Sequence, residues 1–384
     1  MTDQQLERCH NIDATKAKSK KYLHMSASYL ILYLAYLIWG SEDHYPELEV
    51  ELSDVISYVV LATEMGGHAV VKIYNENNLN IKSKGETDVG KSELLTKADL
   101  VSNHLMLGLL QRFPLLKVIT EEKTESMSES SVEEFRDDNY NVWLNVRKAL
   151  EMLPSKKYPL GRITVWVDPL DATQEFTEGL TQYVTVMACV AIDGKPHFGA
   201  IFRPFHNETI LGMVGFGLMD ASGNRIKLKS ADKTTKKIVV SRSHTGKVAE
   251  IAKQAFGNEQ YEIEAAGGAG YKTYRLIQGT AELYLHTTAI KKWDICAGDA
   301  IIRSAGGSLI DLQGQSFVYS AKTEELNKNG MNSITKRNED SLRRLRLRES
   351  YAVMMKDLEV ILDEFRFNMS KTKSVVGFLL SIVE

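Results

Sequence analysis

An apolar run at residues 163–167 ends on Trp166-Val-Asp-Pro-Leu-Asp-Ala-Thr173, so a strand of buried character stops at two acids, Asp168 and Asp171. Pro169 between them has a locked φ and no N–H, which stiffens the break. Much later, Trp293-Asp-Ile-Cys-Ala-Gly298 places a third acid, Asp294, at the start of a helical-looking segment. Carboxylates at the edge of apolar segments need water, a partner or a cation. A fold that gathers these three must bring the end of a strand and the start of a helix to one point. The product is an oxygen-rich site suited to Mg²⁺, which favours carboxylates, water and phosphate oxygens, and hence to phosphate-ester chemistry.

The chain has 384 residues and a formal net charge of −3, enough for one large or two smaller packed domains. Its Lys and Arg residues are scattered rather than striped, which excludes the electrostatic footprint of a nucleic-acid polymer binder. Three cysteines make no disulfide framework, and Cys189 and Cys296, in apolar runs, are expected to be buried free thiols. No CxxC or Cys/His cluster points to zinc.

Residues 22–39 are nearly all apolar, with Lys16, Lys18, Lys20 and Lys21 before them and Glu42 and Asp43 after. This pattern predicts a cytosolic segment 1–21, a single-pass type II signal anchor over 22–39, and a bulk that faces a lumen. The sequons Asn207-Glu-Thr209 and Asn368-Met-Ser370 then lie on the glycosylating side. A catalytic domain is expected over 48–343, divided into 48–205 and 206–343, followed by a helical tail at 344–384. Helical spacing from Leu52 ends near Gly66-Gly67, read as a stop. Asp99 opens a second helix, and residues 118–119 form a short strand into Glu121. Residues 124–160 look like a solvated excursion, and strands at 184–192, 199–202 and 209–214 form a meander or hairpin.

Thr120-Glu121-Glu122, the Asp168 to Thr173 turn and the Trp293 to Gly298 segment occur in the order found in the lithium-sensitive, magnesium-dependent inositol monophosphatase superfamily, which the chain resembles over roughly residues 50–320. The wording "WVDPLDATQEFTEGL", "VVSRSHTG", "AAGGAGYK" and "KKWDICAGDAI" is similar to its bisphosphate nucleotidase branch, and within it to Golgi-resident members. The resemblance implies a layered α-β-α-β-α fold and two or three Mg²⁺ ions. It implies Glu121, Asp168, the Leu170 carbonyl, Asp171 and Asp294 as metal ligands. Asp99 and Thr173 would orient and deprotonate a metal-activated water, and Thr173, Ser243, His244, Gly268 and Lys272 would contact a bisphosphate nucleotide. The expected reaction removes the 3′-phosphate of adenosine 3′,5′-bisphosphate in the Golgi lumen, clearing a sulfotransferase by-product. An inositol phosphate phosphatase would use the same metal site, and a membrane-tethered scaffold without activity is the other alternative. Taken singly, Asp-Pro is a turn, Asp294 an N-cap and Glu121-Glu122 a solvated pair. That plain reading is kept for Glu122, Asp88 and Glu93.

Overall fold

The computed structural model describes residues 29, 47–77, 79–86, 92–122, 127–136, 140–228, 236–242, 248 and 261–335. The unit that begins at Glu49 carries every element below. Of the expected anchor at 22–39 only Tyr29 is described, so that segment lies outside the described residues, as does the tail 344–384. Among the described residues no helix is long and apolar enough to cross a membrane.

Helix α1 (Leu52–Asn75) leads through a hairpin of β1 (Lys82–Glu86) and β2 (Ser92–Leu95) into α2 (Lys97–Leu110) and β3 (Lys117–Thr120). After α3 (Tyr140–Leu150) come β4 (Ile163–Asp171), the short α4 (Thr173–Thr177), β5 (Thr185–Ile192), β6 (Lys195–Arg203), β7 (Glu208–Met213) and β8 (Gly217–Asp220). These strands form one six-stranded sheet in the order β8-β7-β6-β5-β4-β3, with only the β3–β4 pair parallel. A second sheet contains β9 (Lys236–Ser241), β10 (Tyr261–Ala266), β11 (Leu283–His286), β12 (Ser308–Ile310) and β13 (Met331–Ile334) in the order β10-β9-β11-β13-β12. Helices α5 (Ala269–Gln278) and α6 (Lys292–Ser304) belong to the same half of the chain.

Period-2 alternation assigns each strand residue of the first sheet to one of two cores. Val165, Val167, Val186, Ala188, Phe198 and Ala200 pack with Val55, Val59 and Val70 of α1 and Val101 and Leu105 of α2. Trp166, Met187, Cys189 and Ile201 turn the other way, onto Ile295, Ala300 and Ile301 of α6 and onto Tyr284 and Leu309 of the second sheet. With both faces covered, β5 is buried at all eight positions, which explains its unbroken apolar run. The layers are therefore helix, sheet, helix, sheet. On the outer face of the second sheet, Val248 packs with Ile238, Val240, Leu283 and Leu285.

Four sequence expectations change here. Gly66 and Gly67 do not stop α1; they lie in mid-helix, where a Cβ would stand 2.5 Å from the Ser102 hydroxyl or 2.3 Å from the Phe202 ring. They are close-approach glycines, which helical periodicity cannot distinguish from a breaker. Within 124–160, Val132, Phe135, Val146 and Leu150 join the core beneath the charged surface. Strands β7 and β8, placed in the second half by a boundary at 205, complete the first sheet instead. Finally, Cys189 of β5 and Cys296 of α6 form a disulfide. They are 107 residues apart, and only the packing of α6 on β5 makes them neighbours. In the chain-entropy account a crosslink closing a loop of that length contributes about 4–5 kcal/mol by restricting the unfolded chain.

Helix α6 lies so close to β6 that a Cβ on Gly199 would meet the Ala297 carbonyl at 2.3 Å. Because that neighbour is backbone, Gly199→Ala is expected to cost roughly 1–3 kcal/mol in urea unfolding. Gly108, exposed in α2 with nothing within 4 Å of a built Cβ, is the control: Gly108→Ala should stabilise by about 0.5–1 kcal/mol.

Candidate active site

Strands β3 and β4 run parallel and end side by side, and the Glu121 amide extends their ladder to the Val167 carbonyl at 3.2 Å. The pairing of β4 with β5 is regular to Asp168 and resumes at Asp171 with a bulge between them. Pro169 suits that interruption because it has no ladder donor to lose, and bulges of this kind re-aim side chains. From the other half, Asp294 is the third residue of α6, its carboxylate accepting from the Lys291 amide at 3.3 Å. One carboxylate oxygen from each of Glu121, Asp168 and Asp294 lies within 4.8 Å of the other two.

Burial raises Asp168 well above the usual carboxylate range, and Glu121, Asp171, Asp294 and Asp99 raise it further. Asp294 is likewise raised by burial and by Glu121 and Asp171, against the opposing pull of Lys291. Three converging carboxylates with oxygen donors only fit a hard divalent cation such as Mg²⁺, which would relieve their repulsion. Lys84, carried on β1, supplies part of that charge: its ammonium lies 3.1 Å from Glu121 and also bonds Glu122. Burial alone would lower Lys84, yet the two glutamates hold it above its ordinary value. Glu122 is thus a buried, paired residue, its carbonyl accepting from Asn103 at 3.2 Å, and not the solvated charge expected of it. Asp88 and the Glu93 side chain lie outside the described residues.

Beside the trio stands a second pair. Thr173 Oγ1 donates to Asp99 Oδ1 at 3.0 Å and lies 3.2 Å from the Leu170 carbonyl. Asp99 is fixed by a capping box at the start of α2, accepting from the Thr96 amide at 2.7 Å and from the Thr96 hydroxyl. Burial pushes Asp99 up to about 6 despite the Thr96 hydrogen bond. Ala172, between Asp171 and Thr173, is left-handed at φ 71, a conformation costing an L-residue about 1–2 kcal/mol. The strain turns the chain so that Thr173 faces Asp99.

These groups form one wall of a cavity of about 350 Å³. The opposite wall comes from the ends of β9, β10 and β11, parallel strands whose carboxyl termini open onto it, as in open α/β sheets generally. Gly268 has φ 63, and a Cβ there would meet the Tyr183 carbonyl at 2.6 Å; one on Gly270 would meet Thr185 Oγ1 at 2.2 Å. That approach lets the Ala269 and Gly270 amides donate to the two Asp171 oxygens at 3.1 and 2.8 Å, with Thr185 Oγ1 adding a bond at 2.8 Å. Asp171 therefore lines the cavity as an acceptor for the start of α5, outside the tight trio. Lys272 is buried with its ammonium 3.2 Å from the Ala266 carbonyl and 5.1 Å from the Tyr284 ring centre. Burial lowers Lys272 to about 8 against the pull of Asp171, Glu175 and Asp294. Arg242 bonds Glu175 at 3.0 Å and Glu178 at 2.7 Å, tying the end of β9 to α4.

Of the residues named from the sequence, Asp99, Glu121, Asp168, Leu170, Asp171, Thr173, Gly268, Lys272 and Asp294 surround this cavity or buttress it, and Ser243 and His244 lie outside the described residues. Glu175, Arg242 and His286 also line the cavity and Lys84 braces Glu121, although no sequence signal singles them out individually. Glu175 and Arg242 sit inside motifs already singled out, whereas Lys84 and His286 are isolated residues whose placement depends on the hairpin and on the end of β11.

A sequence model described as the inositol monophosphatase family matches residues 51–347. The chain belongs to the inositol monophosphatase family. Inositol monophosphatase 3 of Xenopus tropicalis is 42% identical over 299 residues, 76% of this chain and 80% of the relative. The Golgi-resident adenosine 3′,5′-bisphosphate 3′-phosphatase of Homo sapiens is 40% identical over 279 residues, 71% of this chain and 74% of its own length. Among solved structures, the extragenic suppressor protein suhB of Bartonella henselae matches with a TM-score of 0.56 at 20% identity, covering 76% of this chain and 98% of that one. CysQ of Bacteroides thetaiotaomicron, a bacterial family member, gives 0.51 at 20%, over 74% and 97%. The structural likenesses establish the inositol monophosphatase-like fold.

If the trio is a cation site, Mg²⁺ at a hundred times its dissociation constant should stabilise the folded chain by about 2.7 kcal/mol. Thermal melting should show this as a Mg²⁺-dependent rise in Tm that Asp168→Asn abolishes, while the metal-free Asp168→Asn protein melts no lower than the metal-free parent because a repelling buried charge is gone.

Proposed function

We propose that the protein is a Mg²⁺-dependent phosphatase that removes the 3′-phosphate of adenosine 3′,5′-bisphosphate, giving AMP and phosphate. The observation that carries this reading is a cavity with two unlike walls. On one, the acidic trio adjoins the Thr173–Asp99 pair; on the other, Lys272 and Arg242 offer cationic groups among backbone amides. A substrate with two phosphates can place one against each wall.

Glu121, Asp168, Asp294 and the Leu170 carbonyl would hold Mg²⁺, with Asp171 reaching a further ion. Mg²⁺ there would supply Lewis acidity toward the ester and lower the pKa of attacking water. Thr173 Oγ1 accepts the proton of that water as it passes its own to Asp99 Oδ1, a carboxylate raised by burial toward the range useful for a base near neutrality. Ser102 and Asn103 hold the framework, Ser102 Oγ donating to the Pro169 carbonyl at 2.8 Å. Lys272, Gly268, Ser243 and His244 bind the nucleotide.

A single N-terminal anchor and a lumenal, Golgi catalytic domain complete the proposal. The Cys189–Cys296 disulfide supports the oxidising compartment, since crosslinks of this kind persist in secretory lumens and are rare in the cytosol. The relatives carry names for both activities at nearly equal identity, so inositol monophosphate hydrolysis is the second reading. Phosphate release from both substrates with Mg²⁺, with and without Li⁺, separates them: the bisphosphate should have the larger kcat/KM, and a preference for inositol monophosphate reverses the assignment.

Two substitutions test the walls separately. Thr173→Ala should lower kcat by roughly 10²- to 10⁴-fold with little change in KM. Lys272→Met, which keeps the buried volume, should chiefly raise KM, and more for the bisphosphate than for a monophosphate. Equal effects on both would remove Lys272 from substrate choice.

A further inference from the structure

The turn between β6 and β7 carries one of the chain's two sequons, Asn207-Glu208-Thr209. Asn207 is exposed, with φ 50 and ψ 44, and its backbone N–H closes the preceding turn on the Pro204 carbonyl at 3.4 Å. Asparagine is among the few residues at ease in that left-handed region. Among the described residues its side-chain amide makes no hydrogen bond. The other end of the sequon is different: Thr209 is buried, and its hydroxyl donates to Glu64 of α1 at 3.0 Å.

We propose that Asn207 is an N-glycosylation site, modified before β7 packs against α1. A transferase must reach both the amide nitrogen and the hydroxyl, and the finished fold leaves only the nitrogen outside. In the transfer, Asn207 Nδ2 forms a bond to the anomeric carbon of a lipid-diphosphate-linked oligosaccharide. The bond from that carbon to the diphosphate oxygen breaks, the lipid diphosphate leaves with the electron pair, and the amide proton passes to solvent. The folded protein has room for the product. Asn207 borders an open hollow of about 620 Å³ whose rim includes the polar Asn145, Lys148 and Ser222, and none of its lining residues borders the catalytic cavity. A glycan there is solvated by polar neighbours and leaves the active site unobstructed.

The inference rests on the lumenal reading, which the disulfide tests independently. The full chain would be expressed in eukaryotic cells, digested with and without peptide N-glycosidase, and mapped by peptide mass spectrometry without reduction. The expected result is a mass shift on glycosidase treatment and Asp at position 207 in the treated peptide. Asn207→Asp, which keeps a residue tolerant of the left-handed region, should reduce that shift by one glycan and retain phosphatase activity. Thr209→Ser, which preserves both the sequon and a hydroxyl for Glu64, should keep the glycan. An unmodified Asn207 in a protein whose Cys189 and Cys296 are crosslinked overturns the site alone. An unmodified Asn207 with both thiols free overturns the lumenal placement and the site with it. A shift that is undiminished in Asn207→Asp belongs to Asn368 and also overturns the proposal.

Discussion

The mutual repulsion of Glu121, Asp168 and Asp294 is the constraint around which this fold is arranged. Bringing three carboxylates within 4.8 Å of one another in a partly dry site opposes folding. The chain tolerates it because each acid is anchored by structure that exists for other reasons: a parallel strand pair, a proline bulge and the first turn of a helix. Lys84 offsets part of the charge from outside the trio. The remaining repulsion is of the kind a divalent cation would relieve, so the cost of assembling the three acids would favour its binding.

Helix α6 is the element that makes this arrangement rigid. Its first turn presents Asp294, its next residues pack against Gly199 and form the disulfide to β5, and its last turns carry Asp299. Burial pushes Asp299 up to about 6, yet Arg303 at 2.7 Å and the Tyr319 hydroxyl at 3.0 Å satisfy it. The Tyr319 carbonyl in turn accepts from Trp166 Nε1 at 2.9 Å, two residues before Asp168. The two halves of the acidic cluster are therefore linked by covalent, steric and hydrogen-bonded connections that run through the core and not through the site. A displacement of α6 would move Asp294 relative to Asp168, and each of these contacts opposes it.

The substrate wall has a different physical character. Asp171 stands outside the tight trio, and its oxygens accept from the Ala269 and Gly270 amides. This one carboxylate joins the end of β4 to the start of α5 and so sets the distance between the catalytic and binding walls. The Arg242 pairing with Glu175 and Glu178 makes a second connection of the same kind. Cavity width is thus fixed by charged and polar contacts across the two halves, which suits a site that must accept an anion of defined length.

Strand ends, a proline break and a helix start marked the acidic residues locally, and the order of the motifs supported a family resemblance that implied the Thr173–Asp99 partnership and the layered fold class. Strand runs were equally legible wherever burial on both faces left unbroken apolar sequence, as in β5. The tertiary structure decided whatever depends on a distant neighbour. Gly66 and Gly67 proved to be packing glycines because Ser102 and Phe202 lie against them, and the charged stretch after residue 124 proved to cover core residues. Cys189 and Cys296 became a pair because α6 lies on β5, and Lys84 and His286 entered the site because a hairpin and a strand end deliver them there. The sequence states what each residue can do, but contact between residues far apart in the chain is a property of packing, which no local pattern encodes.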